Sequence, residues 1–177
     1  MSGRFKTFID DLNEQERRAA KQRAIEKANR DRIAAEFERH WQGLLGSLKE
    51  TVTGCAIKDS PFEWVDDADG INVSGVGLHW LRTEAEGIPI VELTLGGPVG
   101  IRSFLAEQKK SLPAELHLLA PVISGESFLW HLGRQGKIGF GAEYTDADAA
   151  DEIAMMLAQY ADEHEKLRAK LDPFDAI

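Results

Sequence analysis

Residues 33–52 read IAAEFERHWQGLLGSLKETV, and the reading of this stretch decides the fold. Its large apolar residues are Ile33, Phe37, Trp41, Leu44, Leu45, Leu48 and Val52. They follow at steps of four, four, three, one, three and four, which is one face of an α-helix. Glu36, Glu38, Arg39, Gln42, Ser47, Lys49 and Glu50 fall between them and make the wet side. A helix with such a face must lie against a second apolar layer. Gly43 and Gly46 each cost about 1 kcal/mol against Ala inside a helix, so they are read as permitting close approach to a sheet. Pro61 bars the helix from continuing, which places its end between Val52 and Lys58.

Upstream, Asn13 to Arg32 is built from Ala, Arg, Lys, Glu and Gln, all strong helix formers, with Ile25 as the one large apolar residue. Asn13 and Glu16 have the spacing of a capping box, which predicts a helix start there or a turn earlier. Phe5, Phe8, Ile9 and Leu12 form a short apolar cluster before it. Residues 1–32 are thus expected to be a charged helical extension. Residues 33–171 are expected to form a single α+β domain, and residues 172–177 a tail.

Downstream, alternation predicts strands. Phe62 and Trp64 alternate with polar neighbours, and Asp67-Ala68-Asp69-Gly70 supplies turn chemistry. Ile71 and Val73 then have one parity, while Val76, Leu78 and Trp80 have the other. The phase change is assigned to a bulge at Ser74-Gly75. A four-residue turn, Glu84 to Gly87, sets Trp80 opposite Val91, Leu78 opposite Leu93 and His79 opposite Glu92. A three-residue loop, Ser124 to Glu126, sets Val122 opposite Phe128, Ala120 opposite Trp130 and Leu118 opposite Leu132. Another, Arg134 to Gly136, sets Trp130 opposite Phe140. A short crossover helix is expected within Ile101–Lys110. Thr145 and Asp148 cap a final helix whose buried stripe is Ile153, Met156, Leu157, Tyr160, His164, Leu167 and Leu171. The sum is an α+β fold: a mainly antiparallel sheet of about six strands, with a long N-terminal helix and a C-terminal helix packed on one face.

In this register the other sheet face carries His79, Leu81, Ile88, Ile90, Glu92, His117, Leu119, Ile123, Leu129 and His131. That is too apolar for a simply wet face and too polar for a core, as interfaces are. His79, Glu92, His117, Leu119, Leu129 and His131 are therefore the candidate binding residues, covered by a second copy, another protein or the chain itself. An alternative makes His79, Glu92, His117 and His131 the lining of a ligand-binding or enzymatic site, with His79 a carboxylate-oriented base. The plainer reading of His79 and Glu92 is a cross-strand charge pair, and no nucleophile follows from the spacing. Zinc needs three or four converging ligands, which this face does not supply, so no metal or cofactor is expected.

The chain of 177 residues has a net charge of −9, and its distribution bears on partners. Residues 1–50 carry 11 Lys/Arg and 9 Asp/Glu, and residues 51–177 carry 10 and 21. An acidic body disfavours DNA, RNA and anionic lipid. Arg23, Lys27 and Arg30 align on one helix face as a basic stripe, which leaves a nucleic-acid accessory role as a further alternative. Interspersed acids and the absence of aromatics favour an ordinary solvated face instead. Gly96-Gly97-Pro98-Val99-Gly100 lacks the Lys-Ser/Thr of a phosphate loop and reads as a turn. Cys55 is the single cysteine, so no internal disulfide can form. No window is apolar enough for a membrane span. The expectation is a cytoplasmic, homodimeric, non-enzymatic protein-interaction module of an adaptor, chaperone-like or assembly-factor kind.

Overall fold

The computed structural model describes residues 3–100, 114–134 and 141–175. Helix α1 (Gly3–Val52) is followed by two short strands, β1 (Ala56–Ile57) and β2 (Ser60–Pro61), which pair with each other. The main sheet contains β3 (Glu63–Val65), β4 (Gly70–Val73), β5 (Val76–Ala85), β6 (Ile88–Gly96), β7 (Glu115–Ser124), β8 (Ser127–Arg134) and β9 (Glu143–Tyr144). These seven strands lie in sequence order and every neighbouring pair is antiparallel. Helix α2 (Asp146–Asp175) closes the chain. The architecture is α+β, with both helices on one face of the sheet. Among the described residues no helix is long and apolar enough to cross a membrane.

The core forms where the stripe of α1 meets the sheet. Ile33, Phe37, Trp41, Leu44, Leu48 and Val52 are all buried, and Leu45 packs against them. Trp41 meets Trp80 edge-on at 6.2 Å and Trp130 at 6.4 Å, and Phe37 meets Trp130 at 5.6 Å. Phe128 lies 5.3 Å from Trp130 in the same layer. Such tilted and edge-on pairs add about 0.5–1.5 kcal/mol each to their burial. From α2, Ile153, Leu157 and Tyr160 reach the same core, with Ala149, Ala150, Ala154 and Ala161 giving close approach.

Several expected details are corrected. Helix α1 runs unbroken through Asn13, so Asn13 and Glu16 cap nothing. A Cβ on Gly43 would lie 3.0 Å from the Asp146 carboxylate and one on Gly46 would meet nothing within 4 Å, so neither glycine serves an approach to the sheet. Ser74-Gly75 is a hairpin turn, not a bulge: both residues have positive φ and Val73 pairs with Val76. Glu86-Gly87 is likewise a two-residue turn with both φ positive, the pattern of a type I′ hairpin. It moves the β5–β6 register by two: Trp80 faces Leu93, Leu78 faces Leu95 and His79 faces Thr94. Parity survives that move.

The β7–β8 loop is Gly125-Glu126, also two residues, and here the shift is one. Ile123 pairs with Phe128, Pro121 with Trp130 and Leu119 with Leu132. Every β7 side chain therefore lies on the face opposite to that expected relative to β8. Trp130 pairs with Tyr144, not Phe140. The crossover helix, the Arg134–Gly136 loop as a whole, and Phe140 lie outside the described residues. The expected cap at Thr145 is present, with the Asp148 amide donating to Thr145 Oγ1 at 3.2 Å.

Candidate interaction surfaces

The corrected register redistributes the candidate residues. His79, Glu92, Leu129 and His131 do share the second face. His117 and Leu119 do not: they point into the helix-covered face, 3 % and 0 % exposed. His79 is not opposite Glu92; Leu81 is. The four polar residues of the enzymatic alternative thus fail to converge. Among the described residues no group of three His, Cys, Asp or Glu could hold a metal ion.

What remains on the second face is an apolar strip with scattered polar groups. Leu81 is 62 % exposed and Leu116 40 % exposed, while Leu118, Val122, Leu129, Glu92 and His131 are half-buried. At the β4–β5 end the chain covers this face itself. Gly70 and Gly77 present bare backbone there, and a Cβ on either would lie within 2.7 Å of Val99 side-chain atoms. Asn72 fixes the covering segment, donating to the Val99 carbonyl at 2.9 Å and accepting from its amide at 2.6 Å. Gly70 and Gly77, which share the face of Asn72 on adjacent strands, are the residues this cover requires to lack a side chain.

The second surface is the free half of α1. From residue 3 to residue 31 every side chain is exposed except those of Ala19 and Asn29, which are half-exposed. Phe5 and Phe8 are each 58 % exposed, Ile9 37 % and Leu12 45 %. In the basic stripe, Arg23 is held by Glu16 at 2.7 Å and Lys27 by Asp31 at 3.5 Å. These internal pairs lower the charge available to a phosphate backbone, which agrees with a solvated face.

Two polar clusters escaped the sequence reading. Asp146 accepts from the Trp130 indole at 2.8 Å and lies 2.9 Å from His40 Nδ1, while the His40 ring stacks on Phe128 at 4.1 Å. This ties α1, β8 and the start of α2 together. The other is a cleft of about 770 Å³ beside β3, lined by Ser60, Glu63, Asn72, Ser74, Glu165 and Arg168 among others. Small-ligand sites are mostly apolar-walled, and here Pro61, Val73, Pro98 and Ala169 supply only part of the wall. Its residues come from separate elements, so no local motif signals it. Under the sheet, Tyr160 is pushed above the usual tyrosine range by burial and then by the carboxylates of Glu115 and Glu163. No family model matches this chain, and no curated protein and no solved structure matches it either, so the surfaces themselves carry the functional reading.

Proposed function

We propose that this protein is a non-enzymatic interaction module, an adaptor or assembly factor that engages protein partners through the free end of α1 and the second sheet face. The observation that carries the reading is the exposed quartet Phe5, Phe8, Ile9 and Leu12. Their spacing is i, i+3, i+4 and i+7, the anchor pattern by which an amphipathic helix enters an apolar groove. Burying each such side chain is worth about 1.5–3 kcal/mol. An apolar cluster in the half of α1 that packs against nothing contributes nothing to the fold of its own body. A cytoplasmic setting goes with the reading, because Cys55 is an exposed free thiol and such thiols persist under reducing conditions.

The experiment is co-purification from native extract with the wild-type chain, a Phe8→Glu/Leu12→Glu variant, and a charge-reversed control at Arg23, Lys27 and Arg30. The same protein should travel with the wild type and the control and be lost from the tip variant. Equal recovery by all three would refute the reading, and loss from the charge-reversed chain alone would favour the nucleic-acid alternative.

A further inference from the structure

We infer that the Phe5–Leu12 end of α1 docks on the second sheet face of another copy of this chain, in a reciprocal exchange. The inference rests on the interaction reading above and names its partner. Charge argues against a second extension as the surface on which it lies. Residues 1–32 carry 9 Lys/Arg against 6 Asp/Glu, and residues 33–177 carry 12 against 24, so extension and body are of opposite sign. Within the extension, residues 17–32 hold seven basic residues and two acidic ones. Two extensions lying side by side would press these basic stretches together, which Coulomb repulsion disfavours. An extension lying on the second face meets Glu92 and, at the rim, Glu86 and Glu126 instead.

The dimensions agree. The second face has Ile90 and Ala120 buried at its centre and Leu118, Val122 and Leu129 half-buried around them, with Thr83, Glu92 and His131 interspersed, and it ends at a rim where the turns Glu86-Gly87 and Gly125-Glu126 project. The carboxylates of Glu86 and Glu126 make no ion pair among the described residues, and both residues are exposed. Along a helix, Leu12 to Arg17 and Arg18 is roughly 8–9 Å. Along β7, Val122 to Gly125 is about 10 Å. A helix seated with Leu12 over Val122 and Leu129 thus brings Arg17 and Arg18 to the acidic turns. Phe5 then falls about 10 Å further in, near the row where Leu81, Glu92 and Leu118 are neighbours across three strands.

The exchange closes with two-fold symmetry. Each α1 leaves its own body at this same rim, where the Arg32 guanidinium donates to the Glu126 carbonyl. It leaves from the core side of its own sheet and lands on the opposite side of its partner's. The two helices therefore lie on opposite faces of each sheet, about 10 Å from it on either side, so their basic stretches between the bodies run about 20 Å apart, beyond the screening length of about 8 Å in physiological salt. Each copy gives one helix end and one sheet face, an isologous arrangement.

The test is light scattering over a concentration series with the full chain, alongside Phe8→Glu and Leu81→Glu. Both positions are exposed, so unchanged circular-dichroism melts at low concentration confirm that the variants fold. A wild-type dimer and two monomeric variants are expected. In a Cys55→Ser background, a bismaleimide should link a Phe5→Cys copy to a Leu81→Cys copy in a mixture, while neither variant alone links to itself. Reversing Glu86 and Glu126 to Arg should weaken dimerisation by about tenfold or more, and reversing Arg17 and Arg18 to Glu in the same chain should restore it. A wild-type monomer throughout, or Phe5→Cys copies linking to one another, overturns the exchange. The extract experiment judges the broader reading separately, since a foreign partner lost on Phe8→Glu/Leu12→Glu would uphold that reading after the exchange had failed.

Discussion

Asp146 is a single side chain on which three elements depend. Its carboxylate is half-buried and satisfies the buried Trp130 indole while facing His40. Asp146→Ala leaves that indole N–H without an acceptor, and an unsatisfied buried donor costs about 1–3 kcal/mol. Asp146→Asn keeps an acceptor oxygen and should cost clearly less; urea titration followed by tryptophan fluorescence measures both. The same carboxylate governs a neighbouring glycine. Ala in place of Gly in a helix gains about 1 kcal/mol, and Gly46→Ala should realise that gain, since its new Cβ meets nothing within 4 Å. Gly43→Ala should gain nothing, because its Cβ would lie 3.0 Å from Asp146 Oδ2. Equal stabilisation by the two substitutions, read from denaturation midpoints, would contradict this packing. Neither contact was legible in the sequence: Gly43 and Asp146 are over a hundred residues apart, and only the docking of α2 brings them together.

At the scale of elements, what could be read from sequence depended on whether one strand face was distinctive. In β5, Val76, Leu78 and Trp80 alternate with Gly77, His79 and Leu81, so the inward parity held even though the turn was two residues shorter than expected. In β7, residues 116–123 are apolar at nearly every position, and alternation has nothing to choose between. The loop length alone then fixes the face, and a difference of one residue moved His117 and Leu119 from the candidate site into the core. The long stripe of α1 needed no such help, because its period is unambiguous over five turns. The contact between α1 and β5 can be tested by pH. Arg82 donates to both oxygens of Glu38, at 2.5 and 2.8 Å, and holds its carboxyl below the usual glutamate range, with Gln42 adding a further hydrogen bond. A carboxyl depressed in the folded state contributes stability above its unfolded value and loses it as pH falls through the folded one. Glu38→Gln should therefore be less stable than wild type at neutral pH, by less than about 1 kcal/mol because the pair is solvent-screened. The gap should close below the ordinary glutamate value of about 4.3. A gap that persists in acid, in paired thermal melts, would mean that the side chain acts through packing and not charge.

For the whole molecule, the unusual fact is how little of α1 the body uses. At 1.5 Å per residue the helix is about 75 Å long, yet its buried residues begin at Ile33. An isolated helix of such length persists through propensity and side-chain pairs such as Glu14 with Arg18, each worth a few tenths of a kcal/mol. Those terms belong to the extension alone and do not couple to the core. Deleting residues 1–31 should accordingly leave the unfolding free energy of the body unchanged to within about 0.5 kcal/mol, the range for surface changes. This comparison has to be made at low protein concentration, because association with the folded state raises apparent stability by mass action. If the extension docks on another copy, the full chain's melting temperature should climb with concentration while that of the truncated chain stays flat. A truncated chain that melts far below the full one even when dilute would mean that the extension supports its own body, and the exposed face of residues 3–31 would then have to be covered within one molecule.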